Sequence, residues 1–242
     1  MKKLRLPIVY SDDDVLVIEK PAGILSIPDR YDPKQPHIRS VISSKYKDTL
    51  VVHRLDRDTS GIMVLAQNAD SHRHLNELFQ NGTVRKVYTA IIHGHLLTPE
   101  VTIDLSLKPD GDRRHRTVVD KSAGKGAVTH FASIDRYRDF SQITAVPETG
   151  RTHQIRAHLS AIKCPIVCDE LYGTGRPLML SEFKHNYTPS SKREERPLIG
   201  RLALHSTSLT FTHPTSGEKM QFNSELPKDF RASINQLSKY GR

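Results

Sequence analysis

The chain has no tryptophan, only two cysteines in 242 residues, and an aromatic content of 6%. Two thiols, Cys164 and Cys168, cannot build a disulfide framework and fall short of a four-ligand zinc site. No apolar run reaches the roughly 18 residues that a membrane span needs. The basic start Met1-Lys2-Lys3-Leu4-Arg5-Leu6-Pro7 has no apolar stretch after it, so no signal peptide is expected. Gly124-Lys125-Gly126 and Gly173-Thr174-Gly175 lack the downstream residues of a dinucleotide fingerprint or a P-loop. His72 and His74 have no matched ligand pair nearby, and no Gly-x-Ser-x-Gly elbow exists for Ser-His-Asp catalysis. Metals and cofactors are therefore not expected. The compartment expected is the cytoplasm.

What the chain does have is positive charge. Lys and Arg number 36 against 27 Asp and Glu, a net +9. Such a balance fits either a polyanionic partner or a basic surface kept for solubility. The clusters Arg113-Arg114-His115-Arg116, Lys121 to Lys125 and Lys192-Arg193 to Arg201 lie in polar segments between apolar runs. There they can reach a ligand instead of filling a core.

Short β-rich runs dominate the pattern. Strands are predicted at 15–18, 51–52, 62–66, 87–93, 101–107, 127–134, 141–146, 202–211 and 219–222. Helices are predicted near 37–46, from Asn68 or Ser71 to Asn81-Gly82, over 152–163, and from the first-turn proline Pro227 to about Leu237. Without regular βαβ alternation this implies an α+β fold around a mixed, largely antiparallel sheet with flanking helices and loops. One catalytic domain over 1–242 is expected, with 183–200 as a mobile basic loop.

Two segments carry potential chemistry. The loop His53-Arg54-Leu55-Asp56-Arg57-Asp58-Thr59-Ser60-Gly61 places two carboxylates, two guanidiniums and an imidazole between apolar strands. Two readings fit it: a rigid platform for catalytic groups, or a salt-bridged turn in which Asp56 or Asp58 caps amides. On the helix at 152–163, His153, Arg156, Ser160 and Lys163 share a polar face beside the stripe Ile155, Leu159, Ile162. Arg156 at the edge of that stripe can hold a carboxylate at a cleft, and a solvated face is the alternative.

These motifs, in this order, resemble the RluA-type RNA pseudouridine synthase family. The loop 53–61 matches the signature His-Arg-Leu-Asp-x-x-Thr-Ser-Gly. The Lys20-Pro21-Ala22-Gly23 turn, Lys86-Val87-Tyr88-Thr89-Ala90, Glu148 to Leu159, Asp169-Glu170-Leu171-Tyr172-Gly173 and Arg201 to His205 support it. The resemblance implies conversion of uridine to pseudouridine without cofactor or metal. It implies Asp56 as the catalytic carboxylate and Tyr88 and Arg156 as catalytic partners, with Arg156 pairing the aspartate. Arg54, Lys86, Arg151 and His153 are implied as substrate-binding residues, Arg54 filling the space of the extruded nucleotide. The implied partner is an rRNA or tRNA stem-loop, bound by a monomer that needs no membrane. An N-terminal S4-type module, usual in the family, is not expected, because the Lys-Pro-Ala-Gly turn begins at residue 20. A non-catalytic RNA-binding or ribosome-assembly factor on the same fold is the alternative. A metal-independent RNA hydrolase using His53 and His153 is a third possibility.

Overall fold

The structure, a computed structural model, describes residues 6–187 and 194–242. In chain order its elements begin with β1 (Ile8–Ser11), β2 (Val15–Lys20), α1 (Ile38–Val41), β3 (Leu50–Val51), β4 (Ser60–Ala66) and α2 (Ala69–Gln80). Next come β5 (Arg85–His93), β6 (Glu100–Asp104), β7 (Leu107–Lys108), β8 (Val118–Val119), β9 (Val128–Arg136) and β10 (Phe140–Pro147). The chain ends with α3 (Gln154–Ala161), β11 (Leu204–Thr212), β12 (Lys219–Asn223) and α4 (Lys228–Tyr240). It divides into two compact units: residues up to Lys86 with His205–Glu225, and Val87–Leu204 with Leu226–Arg242.

In the first unit β4 is central, and all seven of its residues are buried. It pairs antiparallel with β2 and β3 and parallel with β11, which in turn carries β12. Burial on both faces explains why β4 reads as an unbroken apolar run instead of an alternating one. Val15, Val17, Ile62, Val64 and Ala66 on one face pack with Leu75 of α2 and with Leu209 and Phe211 of β11. Helix α2 starts where Asn68 accepts the Ser71 amide at 2.8 Å, so Asn68 is the cap. Gly61 has φ +120°, and a Cβ there would lie 2.2 Å from the Ser206 carbonyl oxygen. Only glycine lets β11 approach β4 this closely.

The second unit orders its strands β5-β10-β9-β6, every neighbour antiparallel. A separate two-stranded ribbon, β7–β8, stands apart from that sheet. The single strand expected at 101–107 is therefore two: the Leu105 carbonyl is taken by His158 Nε2 at 3.2 Å, and Leu107 pairs with Val119 instead. Helix α3 begins two residues later than expected, because His153 sits at φ 51° in the left-handed region. Its residues Gln154 to Leu159 are all buried, so of the two readings of this helix the solvated face does not hold. Of the four residues assigned to that face, only Arg156 and Ser160 lie on the helix. His153 caps it, and Lys163 follows it with φ 60°. Pro227 caps α4 and does not enter its first turn. Residues 188–193 of the loop expected at 183–200 lie outside the described residues. Its flanks are anchored, since Phe183 is buried and Ile199 pairs with Leu178.

Candidate active site

In the first unit the loop between β3 and β4 is fixed on both sides of Asp56. Ser26 and Leu55 exchange two hydrogen bonds: the Ser26 hydroxyl donates to the Leu55 carbonyl at 2.7 Å, and the Leu55 amide donates back to the hydroxyl oxygen at 3.0 Å. On the other side, the Arg57 carbonyl accepts the Gly23 amide at 2.9 Å and the Lys20 ammonium at 3.0 Å. Lys20 is fully buried, and its Nζ also donates to the carbonyls of Pro21 and Ile24. Three carbonyls match the three donors of an ammonium, which makes this burial tolerable. The Thr59 amide closes the turn onto the Asp56 carbonyl at 3.1 Å. Asp56 itself is half-buried. The loop thus holds a carboxylate by its backbone. Asp58 meanwhile pairs with Arg57 at the surface.

The charged neighbours in this unit divide by function. His53 stacks on Phe79 with ring centroids 4.5 Å apart, and its Nε2 accepts the Val64 amide at 3.1 Å. Burial, reinforced by the Lys86 charge, pushes its pKa down to about 3. His53 is therefore neutral at physiological pH and committed as an acceptor, so it cannot supply the acid of an RNA hydrolase. Lys86 is buried, and burial lowers its pKa. It makes no hydrogen bond or ion pair to another described residue. Arg54 is exposed and equally without such a partner. Arg54 is open to an anionic ligand, whereas Lys86 is covered.

In the second unit Arg156 is held by Asp169. Nε donates to Oδ2 at 2.8 Å and Nη2 to Oδ1 at 2.9 Å, with both side chains buried. Asp169 Oδ1 also accepts the amides of Leu171 and Tyr172 at 3.0 Å. The fork-to-carboxylate match leaves the guanidinium plane little freedom. Tyr172 lies under that guanidinium, 5.1 Å from ring centroid to Cζ. Its hydroxyl accepts the Thr117 amide at 2.8 Å and is hydrogen-bonded to His153 Nδ1 at 3.1 Å. Burial raises the Tyr172 pKa. Asp169 and Tyr172 belong to the motif at 169–173, which by itself assigns neither a task. The signal was there, an Asp and a Tyr three apart around a turn, but the partner Arg156 is 13 residues away.

Gln154 locks the approach to α3. Its Oε1 accepts from the Thr149 hydroxyl and the Arg151 amide, and its Nε2 donates to the Val128 carbonyl. Arg151 is exposed, with Nε donating to the Gly126 carbonyl at 3.1 Å. Tyr88 is buried in β5 opposite Ala145. The β7–β8 ribbon docks on the turn at 169–173: Arg114 donates to the Glu170 carbonyl and Arg116 to the Leu171 carbonyl. Arg113, just before them and exposed, makes no side-chain hydrogen bond or ion pair to a described residue. So the basic cluster at 113–116 divides into two anchors and one unpaired cation.

The family model described as RNA pseudouridylate synthase matches residues 14–161. The chain belongs to this family. Its members are isomerases. Ribosomal large subunit pseudouridine synthase D of Pseudomonas aeruginosa is 37% identical, over 94% of this chain and 70% of that protein. The Neisseria meningitidis serogroup B protein of the same name is 35% identical over 93% of this chain, which spans only 59% of it. The solved structure of human RNA Pseudouridylate Synthase Domain Containing 1 superposes with TM-score 0.70 and 26% identity, covering 92% of this chain and 84% of that one. The fold expected from the strand pattern, α+β around a largely antiparallel sheet, is the fold of this family. The matched span ends before Asp169, so the carboxylate that orients Arg156 lies beyond it. Among the described residues no helix is long and apolar enough to cross a membrane.

Proposed function

We propose that this chain isomerises uridine to pseudouridine in large-subunit ribosomal RNA, with Asp56 as the reacting carboxylate. Family membership and the names of the relatives support the reaction and the ribosomal substrate. The observation that carries the assignment of Asp56 is the double clamp on its backbone, Ser26 on Leu55 and Lys20 with Gly23 on Arg57. A group that must meet one sugar carbon benefits from a backbone that does not move. In the isomerisation the C1′–N1 bond breaks and a C1′–C5 bond forms. C5 loses a proton, and one is returned at N1. Asp56 either adds to C1′ or removes a sugar proton while the base detaches and turns.

Tyr88 is proposed to pack on the uracil and assist removal of the C5 proton. Arg156 enters as a guanidinium already oriented by Asp169, and its match to the family motif supports its proposed role as a catalytic partner. Arg54 is proposed to fill the place of the extruded nucleotide, at a flipping cost of a few kcal/mol. Lys86, Arg151 and His153 are proposed to bind the substrate backbone, which positions RNA without reading its sequence. The monomeric state and a cytoplasmic site of action belong to the same proposal.

The test is pseudouridine formation in a large-subunit rRNA transcript, with transfer RNA assayed in parallel. Asp56→Asn is expected to abolish product while RNA affinity stays within about threefold, since an amide keeps the shape and loses the nucleophile. Turnover near wild type in that variant overturns the assignment. Product in tRNA alone overturns the ribosomal substrate.

A further inference from the structure

We propose that Tyr31 is a stacking platform for a base of the RNA substrate close to the reacting uridine, with Arg30 and Lys34 taking the adjacent phosphates. The inference rests on the RNA reading above and adds a residue that the family signature does not contain. In a chain with no tryptophan and few aromatics, Tyr31 is 91% exposed. It makes no ring contact, cation–π contact or side-chain hydrogen bond with a described residue. An exposed, unpartnered ring offers a flat apolar face with a polar tip to a stacking partner.

The loop that carries Tyr31 is built to hold it still. Asp29 Oδ1 accepts the amides of Tyr31 at 2.8 Å and Asp32 at 2.9 Å. The Gln35 amide donates to the Asp32 carbonyl, and Asp32 Oδ1 accepts the Lys34 amide. At the base, the Leu25 amide donates to the Pro36 carbonyl, and the Ile38 amide to the Leu25 carbonyl. Both loop aspartates are therefore occupied with backbone amides, whereas Arg30 and Lys34 are exposed and make no ion pair with a described residue. The tip thus offers a flat ring flanked by two cations, the combination that binds single-stranded nucleic acid by stacking and charge.

Position gives the ring its role. Ser26, at the root of this loop, is the residue clamped to Leu55, the neighbour of Asp56. Tyr31 is five positions beyond Ser26, so the two are at most about 18 Å apart along an extended chain. That places the ring within a few nucleotides of whatever Asp56 reaches.

Equilibrium binding of a fluorescein-labelled single-stranded oligouridylate tests this with Tyr31→Ala and Tyr31→Phe. Loss of one stacked base should weaken binding roughly 5- to 100-fold in Tyr31→Ala, with the salt dependence unchanged. Tyr31→Phe keeps the ring and should bind within about twofold of wild type. Lys34→Ala should instead flatten the salt dependence, by about 0.7 in the log–log slope. Melting temperatures of all three should match wild type, because the side chains are exposed. Wild-type affinity in Tyr31→Ala, or an equal loss in Tyr31→Phe, overturns the inference while leaving the RNA reading intact. Failure of the wild-type protein to bind the oligouridylate also overturns the inference, whereas the RNA reading fails only if no pseudouridine forms in the rRNA transcript.

Discussion

At the scale of single residues, Asp169 holds the Arg156 guanidinium in a buried, two-point ion pair. Asp169→Asn keeps the volume and one acceptor but removes the charge facing a buried guanidinium. Breaking a buried pair from one side costs about 3 kcal/mol, and the fork loses its fixed plane. We expect the denaturation midpoint to fall accordingly and single-turnover pseudouridine formation to slow at least tenfold, with RNA affinity retained. A wild-type rate would separate Asp169 from the chemistry. His53 gives a prediction of the opposite kind, about stability alone. Its pKa falls from 6.5 to about 3 on folding, so between those values the unfolded chain binds more protons. Its contribution is complete above pH 6.5 and is lost as pH falls toward 3. Burial lowers the pKa of His93 and His158 as well, which adds to the same acid limb. Replacing His53 by Gln should flatten the fall in unfolding free energy between pH 6 and pH 4, by up to about 1.4 kcal/mol per pH unit. Urea titrations at three pH values measure it, and an unchanged slope would mean that His53 is protonated in the folded state.

At the scale of elements, legibility followed the local signal. The strand at 62–66 and the capped helix after Asn68 were readable because an apolar run and an Asx cap are local patterns. β1 was missed, since it is four residues long with Ile8 and Val9 exposed, and it carries no alternation. The burial of α3 is hard to read locally for a different reason. Gln154, Arg156 and His158 are polar by type, yet each is buried and satisfied by a distant partner: Gln154 by the Val128 carbonyl, Arg156 by Asp169 and His158 by Thr129. Polarity in sequence predicts exposure only when no such partner exists. Gly61 is legible in the signature, but its reason lies in β11. We expect Gly61→Ala to cost at least about 2 kcal/mol, from the φ of +120° and the collision with Ser206. Calorimetry of the purified variant checks this; an unchanged melting temperature would show that the strands can part without loss.

At the scale of the whole molecule, a net charge of +9 predicts RNA binding that weakens steeply with salt. Structure refines which cations act. Arg113 is the unpaired member of its cluster, so Arg113→Ala should reduce the log–log salt slope by about 0.7, as measured by titration between 50 and 200 mM salt. Arg114→Ala should also loosen the ribbon, because Arg114 docks on Glu170. Equal slopes in wild type and Arg113→Ala would remove that residue from the RNA path. The sequence alone determined the reaction family and the elements with strong local patterns, because these depend on residue types at short spacings. Tertiary structure decided what depends on long-range pairing. It set the parallel match of His205 with Ser60 across 145 residues of chain, the clamp of Ser26 on Leu55, and the assignment of Asp169 to Arg156. No periodicity encodes such contacts, since closing a long loop is a cost and a choice that only the assembled core can settle.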